Sequence, residues 1–214
     1  MKDIARTFLP SVALASRHSL DLVSLFLRRP HDQIVYYNLL FSIAIATEPK
    51  VILELGTGPG TSSRAFIRAL QYWSAFRNTG DTVLHTCDIN PNLGQRLRKF
   101  GGLVRIHTMT TDELALQWKE RPTAVDLLYI DAGHSHEQSL RDFTNFSPFV
   151  IPRGLILMHD THPLTERHEA PSFSGGVWKT AQVIKREYGK DFEISTIPAL
   201  CGVSVIRKAG GKYF

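Results

Sequence analysis

The residues best suited to chemistry lie in three short stretches of the chain. The first is Glu54-Leu55-Gly56-Thr57-Gly58-Pro59-Gly60, where an apolar run ends in a carboxylate and a glycine-rich turn before Thr61-Ser62-Ser63 open an amphipathic helix. Glycines in such a turn let backbone N–H groups approach a ligand, and the helix N-terminus favours a negative group. A dinucleotide fingerprint would carry another glycine where this chain has Thr61, so the match to a pyrophosphate site is incomplete. Glu54 would repel a pyrophosphate but can pair with an amino group. The second stretch, His85-Thr86-Cys87-Asp88, brings another carboxylate to the same edge, where an acidic side chain accepts the two hydroxyls of a ribose. Capping the turn before Asn90-Pro91 is the plainer role for Asp88.

The third stretch is split in sequence. Asp131, His134 and His136 follow one apolar run, and His159, Asp160 and His162 end another. If both runs are parallel strands, their ends face one crevice and the six side chains can converge there. Carboxylate plus imidazole can bind a divalent cation, or supply a base that takes a proton from a hydroxyl. Each histidine alone reads as a cap or a surface residue; the grouping is what argues for a site.

Positioning these residues needs strands that end together. Short apolar runs at Val51–Leu55, Thr82–Asp88, Val104–Thr108, Asp126–Asp131 and Leu155–His159 alternate with helical patterns at Thr61–Arg77, Leu93–Lys99, Thr111–Lys119, His136–Asn145 and Val177–Tyr188. That alternation predicts an α/β, doubly wound, mostly parallel sheet with helices on both faces. Phe192–Ile197 and Gly202–Arg207, joined by a short link, are expected as an antiparallel pair at the sheet edge, making seven strands. Ser11–Leu27 and Gln33–Ala46 read as N-terminal helices packed on this core. Residues 1–49 would form that extension and 50–214 the main domain. The irregular stretch from His162 to Gly176 is expected as a lid or binding loop.

Glu-x-Gly-x-Gly-x-Gly, the acidic strand end at Asp88 and the late antiparallel pair together resemble the class I S-adenosylmethionine-dependent methyltransferases, over residues 50 to 207. The resemblance implies the Rossmann-like methyltransferase fold. It implies that Glu54, Gly56, Thr57, Gly58 and Gly60 surround the methionine part of S-adenosyl-L-methionine, that Asp88 binds its ribose and that Asp131 also borders the cofactor. In the same register Thr110 and Thr111 would approach the adenine, unless Thr111 and Asp112 only cap a helix with Glu113. The last stretches resemble a narrower branch, the metal-dependent O-methyltransferases of sugar and natural-product pathways with their cephalosporin hydroxylase-like relatives. That branch carries Asp-Gly-x-His-x-Tyr where this chain reads Asp131-Ala132-Gly133-His134-Ser135-His136, and an acidic pair where it reads His159-Asp160. The resemblance implies Asp131 and Asp160 as metal ligands, with His159 a candidate third, and His134, Asp131 and His159 as catalytic groups. Mg²⁺ prefers oxygen donors, so a histidine shifts the choice toward Mn²⁺, Fe²⁺ or Zn²⁺, or toward no metal.

The expected activity is therefore O-methylation of a small-molecule hydroxyl, in a sugar or natural product. The alternative is a non-catalytic protein that binds S-adenosylmethionine or a partner through a degenerate metal site. An NAD(P)-dependent oxidoreductase is disfavoured by Thr61 and by the lack of a Tyr-x-x-x-Lys pair. A net charge of +5 spread along 214 residues, densest at Arg28-Arg29 and Arg96-Leu97-Arg98-Lys99, makes no nucleic-acid face. No apolar run approaches the roughly 20 residues of a membrane span. The stretch Phe8 to Ala15, behind Lys2 and Arg6, imitates a secretory signal, but Pro10 and Asp3 favour a helix or arm. Cys87 and Cys201, without metal-type spacing, read as core residues in a reducing compartment, so the cytoplasm is expected. Oligomeric state is left open, with a homodimer among the options.

Overall fold

Leucine-rich and β-branched runs become the central strands of one sheet in the computed structural model, which describes residues 31–77, 82–162, 176–198 and 200–208. The chain order is α1 (His31–Thr47), β1 (Val51–Leu55), α2 (Thr61–Arg77), β2 (Val83–Asp88), a 3₁₀ segment (Gln95–Leu103), β3 (Val104–Thr108), α3 (Thr111–Glu120) and β4 (Val125–Ile130). It continues through α4 (His136–Phe146), β5 (Val150–His159), α5 (Val177–Glu187), β6 (Phe192–Ile197) and β7 (Val203–Lys208). The sheet has seven strands in the order β3-β2-β1-β4-β5-β7-β6. β1 to β5 are parallel, and β7 runs antiparallel between β5 and β6. This is the doubly wound, Rossmann-like methyltransferase architecture, in which the chain starts at β1 and leaves it in both directions, so that a crevice opens above β1 and β4.

Both faces of the sheet are covered because both faces of each central strand are apolar. On β4, Leu128 and Ile130 join Leu114, Trp118, Phe143 and Phe146 on the side of α3 and α4. Leu127 and Tyr129 join Tyr37, Leu40, Phe66 and Leu70 on the side of α1 and α2. α1 thus packs Tyr37, Leu40 and Ala44 into this cluster. The expected helix Ser11–Leu27 and the apolar stretch Phe8–Ala15 lie outside the described residues, as does nearly all of the expected lid, residues 163–175.

Three elements differ from the sequence expectation. The helix expected at Leu93–Lys99 is the 3₁₀ segment Gln95–Leu103, set off by Gly94 in left-handed backbone and broken at Gly101 with φ 56°. Glycine at both positions removes the local stiffness that a full α-helix needs. β5 begins at Val150 instead of Leu155, because Val150 pairs with Val125 before the register shifts around Arg153, whose φ is 73°. Cys201 lies in the turn before β7 and is only partly buried, so it is not a core strand residue like Cys87. Among the described residues no helix is long and apolar enough to cross a membrane.

The start of β1 is fixed from outside its own strand. The Asp126 carboxylate accepts the N–H groups of Lys50 at 3.0 Å and Val51 at 2.8 Å, locking β1 to β4. Replacing Asp126 with Ala should lower the unfolding free energy by about 1–3 kcal/mol, read by urea denaturation, because it orphans two strand-edge donors. An unchanged midpoint would refute that role.

Candidate active site

Between β1 and α2 the chain must turn through a space that admits no side chain. Gly56 has φ +98°, and a Cβ placed on it would lie 2.0 Å from the Asp131 carbonyl oxygen. Gly56 and Thr57 donate their N–H groups to the Cys87 carbonyl at 2.9 and 3.1 Å. The loop is thereby pinned to the ends of β4 and β2 at once. A Cβ on Gly58 would meet nothing within 4 Å, so that glycine faces open space.

Glu54 does not reach this space. It is fully buried, and its carboxylate accepts hydroxyl hydrogens from Ser62 at 2.6 Å and from Ser63 and Thr86 at the opening of α2 and on β2. Burial pushes its pKa up to about 7 against the lowering effect of those three hydroxyls. Through these three hydroxyls the residue braces the first turn of α2 from behind the loop. Sequence spacing located the carboxylate but could not show three hydroxyls closing over it.

Asp88 ends β2 with its oxygens held by the N–H groups of Gly58 at 3.0 Å and Asn90 at 2.9 Å. It borders a cavity of about 410 Å³ lined also by Gly56, Gly58, Ile89, Thr110, Thr111 and Asp131. Thr110 caps α3 through a reciprocal capping box with Glu113, while Thr111 accepts a hydrogen bond from Gln138 at 2.8 Å. The cap is therefore made by Thr110, not by Thr111 and Asp112. A second cavity of about 300 Å³ lies across the glycine loop, lined by Gln33, Tyr36, Leu40, Tyr129 and His159 among others. Gly56, Gly58, Asp131 and His134 line both.

At that shared wall four of the six expected polar residues converge. His134 Nδ1 lies 2.9 Å from Asp160 Oδ2. His159 Nδ1 lies 3.2 Å from Asp131 Oδ1 and 3.1 Å from Asp160 Oδ1, yet it is buried and neither oxygen is aligned as a hydrogen-bond partner. The hydrogen bond that His134 donates to Asp160 raises the His134 pKa. Burial lowers that of His159, but Asp131 and Asp160 more than offset it, so the ring is held well above its ordinary value. Asp160 has left-handed backbone, φ 57°, and its carboxyl is depressed by the two imidazoles despite burial. His136 and His162 do not join the cluster. His136 Nδ1 contacts Thr180 at 2.7 Å between α4 and α5, and His162 lines a separate groove beside α5 and β6.

Tyr129 and Tyr36 went unnoticed in the sequence. The Tyr129 hydroxyl donates to Asp131 Oδ2 at 3.0 Å, and the Tyr36 ring stands edge-on to His159 with centroids 4.3 Å apart. The alternation of β4 places Tyr129 beside Asp131, a signal that was legible; nothing local marks Tyr36. One donor atom each from Asp131, His134 and Asp160 lies within 4.8 Å of the others. Two carboxylates plus an imidazole fit a borderline divalent cation better than Mg²⁺. In this set the imidazole is His134, where the sequence had suggested His159.

Residues 53–161 match a family model described as a methyltransferase domain. A curated protein of Sinorhizobium fredii, the uncharacterised y4gI, is 27% identical over 150 residues, covering 63% of this chain. The chain matches only 15% of that protein's length. Among solved structures, the chain is similar to the O-methyltransferase TomG of Streptomyces achromogenes, involved in tomaymycin synthesis and solved with S-adenosylmethionine. Identity to TomG is 21%, the TM-score is 0.63, and 94% of this chain and 89% of TomG are covered. It is also similar to the methyltransferase PaMTH1 of Podospora anserina, bound to S-adenosylhomocysteine, at 15% identity and TM-score 0.62 over 90% of this chain and 96% of that one. A putative caffeoyl-CoA O-methyltransferase of Staphylococcus aureus shows 15% identity and TM-score 0.62, with 92% and 100% covered.

Glu54 gives this site a measurable pH signature. Its folded pKa, about 7, lies above its ordinary value of 4.5, so its contribution to stability is complete below pH 4.5 and is lost as pH rises through 7. Glu54→Gln removes that dependence. Between pH 4.5 and 7.5 the variant should gain on the wild type by on the order of a few kcal/mol, read as diverging denaturation midpoints. Parallel curves would show that Glu54 is ionised throughout.

Proposed function

Because the chain belongs to the methyltransferase domain family, we propose that it uses S-adenosylmethionine to methylate a hydroxyl of a small molecule. The observation that carries this reading is the meeting of two cavities on one wall made by Gly56, Gly58, Asp131 and His134. The larger cavity fits the cofactor, with an oriented carboxylate at Asp88 for the ribose hydroxyls, Ile89, Thr110 and Thr111 along the adenine side, and side-chain-free space over Gly58. When bound, S-adenosylmethionine supplies an activated methyl group, so the protein has to position the acceptor and remove its proton. The smaller cavity, walled by Tyr36, Leu40, Pro59 and Tyr129, suits a compact hydroxylated molecule such as a sugar or small natural product.

In this reading His134 is the base. Asp160 accepts the Nδ1 hydrogen, which leaves Nε2 to take the proton from the acceptor hydroxyl, and Asp160 then stabilises the resulting imidazolium. Asp131, held by the Tyr129 hydroxyl, gives the shared wall its negative charge. The donor spacing within 4.8 Å supports a second reading, in which Asp131, His134 and Asp160 hold Mn²⁺, Fe²⁺ or Zn²⁺; when bound, the ion would lower the pKa of the acceptor hydroxyl. Two free cysteines, Cys87 and Cys201, support a reducing, cytoplasmic setting.

Isothermal titration should show S-adenosylhomocysteine binding that Asp88→Ala weakens about tenfold or more. His134→Ala should keep that affinity within a few-fold while abolishing methyl transfer across a panel of hydroxylated small molecules. Unchanged binding by Asp88→Ala would sink the cofactor assignment. Activity that survives EDTA is the expected result, and its loss would transfer His134 from base to ligand.

A further inference from the structure

The buried His159 ring is held by charge and not by an aligned hydrogen bond. Its Nδ1 faces Asp131 and Asp160 without an aligned hydrogen bond, and the ring torsion of histidine is intrinsically broad. The two carboxylates attract Nδ1, and packing contributes the remaining restraint on the plane of the ring. The neighbour best placed to supply it is Tyr36, whose ring meets that of His159 edge-on at 4.3 Å with an interplanar angle of 74°.

Tyr36 is itself tethered. Its hydroxyl accepts the Cys201 N–H at 2.9 Å, from the turn between β6 and β7. That turn is closed onto the exit of β5, because His162 N–H donates to the Cys201 carbonyl at 2.8 Å and Thr161 N–H reaches the Gly202 carbonyl at 3.4 Å. The approach leaves no room for a side chain at position 202: a Cβ there would lie 2.4 Å from His162 Cβ, and Gly202 takes φ +82°. A closed path therefore runs from His159 through β5 to the hairpin turn, across the Cys201–Tyr36 hydrogen bond, and back to His159 through the ring contact. Tyr36 on α1 and the hairpin turn at Cys201 and Gly202 lie outside the residues 53–161 matched by the family model.

We propose that Tyr36 is a positioning residue that sets the orientation of the His159 ring between Asp131 and Asp160, with the hairpin turn at Cys201 as its anchor. This rests on the reading of the shared wall as the active site, but its test does not need that reading to be correct. Tyr36 also lines the acceptor cavity, as does Gln33 one turn earlier on α1. A residue that only shapes the cavity would act like Gln33, whereas a positioning residue would act on His159.

The experiment is a two-bond ¹H–¹⁵N spectrum of the histidine rings of the full chain saturated with S-adenosylhomocysteine, the His159 signals being assigned by their loss in His159→Gln. Tyr36→Ala should shift or broaden the His159 signals, Tyr36→Phe should move them less because the ring remains, and Gln33→Ala should leave them in place. Titration of each variant with S-adenosylhomocysteine should give affinities within about threefold of wild type, which shows an intact fold and tests the cofactor assignment separately. His159 signals unchanged in Tyr36→Ala would overturn the proposal, as would equal perturbation by Gln33→Ala. Should Tyr36→Ala fail to bind the ligand, Tyr36→Phe decides: a shift confined to His159 supports the tether, and no shift refutes it.

Discussion

A single steric constraint holds the candidate site together: the loop after β1 passes so close to the end of β4 that a Cβ on Gly56 would lie 2.0 Å from the Asp131 carbonyl oxygen. Because only glycine fits, the loop can lie flat against β4 while its N–H groups reach β2, and the ends of three neighbouring strands become one surface. Both cavities open from that surface.

Buried charge is distributed on either side of this contact in two different ways. Beneath the loop, Glu54 is surrounded by hydroxyl donors, and burial outweighs them, so its pKa rises. Across the loop, Asp160 meets both imidazoles and Asp131 meets that of His159, and there the charges stabilise one another. The first arrangement stiffens the start of α2, where a ligand would meet the chain. The second collects acid and base where the cavities join, which is the arrangement that proton removal beside a methyl donor requires.

The fold was legible in the sequence because its signal is repeated: each central strand is apolar on both faces, and each ends in a turn or a polar residue. The boundaries that shifted have local causes, two glycines at the 3₁₀ segment and an irregular register around Arg153. For the site, Asp88, Asp131, His134 and Asp160 were visible because strand ends in a parallel sheet share an edge. What spacing could not convey was saturation and long-range contact. Glu54 is adjacent to the glycine loop in sequence yet turned away from the cavities, and Tyr36 is remote in sequence yet touches His159. His136 had the right type and neighbourhood, but its partner, Thr180, comes from a helix whose packing the pattern did not specify.

The proposed reaction requires the larger cavity to be a nucleoside site that shares a wall with the acceptor cavity. A crystal structure of the protein soaked with S-adenosylhomocysteine measures this directly. Density should place the ribose hydroxyls on Asp88 and the sulfur beside Gly56 and Asp131. The ligand bound in the groove beside α5 and β6, or bound with its ribose away from Asp88, would contradict it.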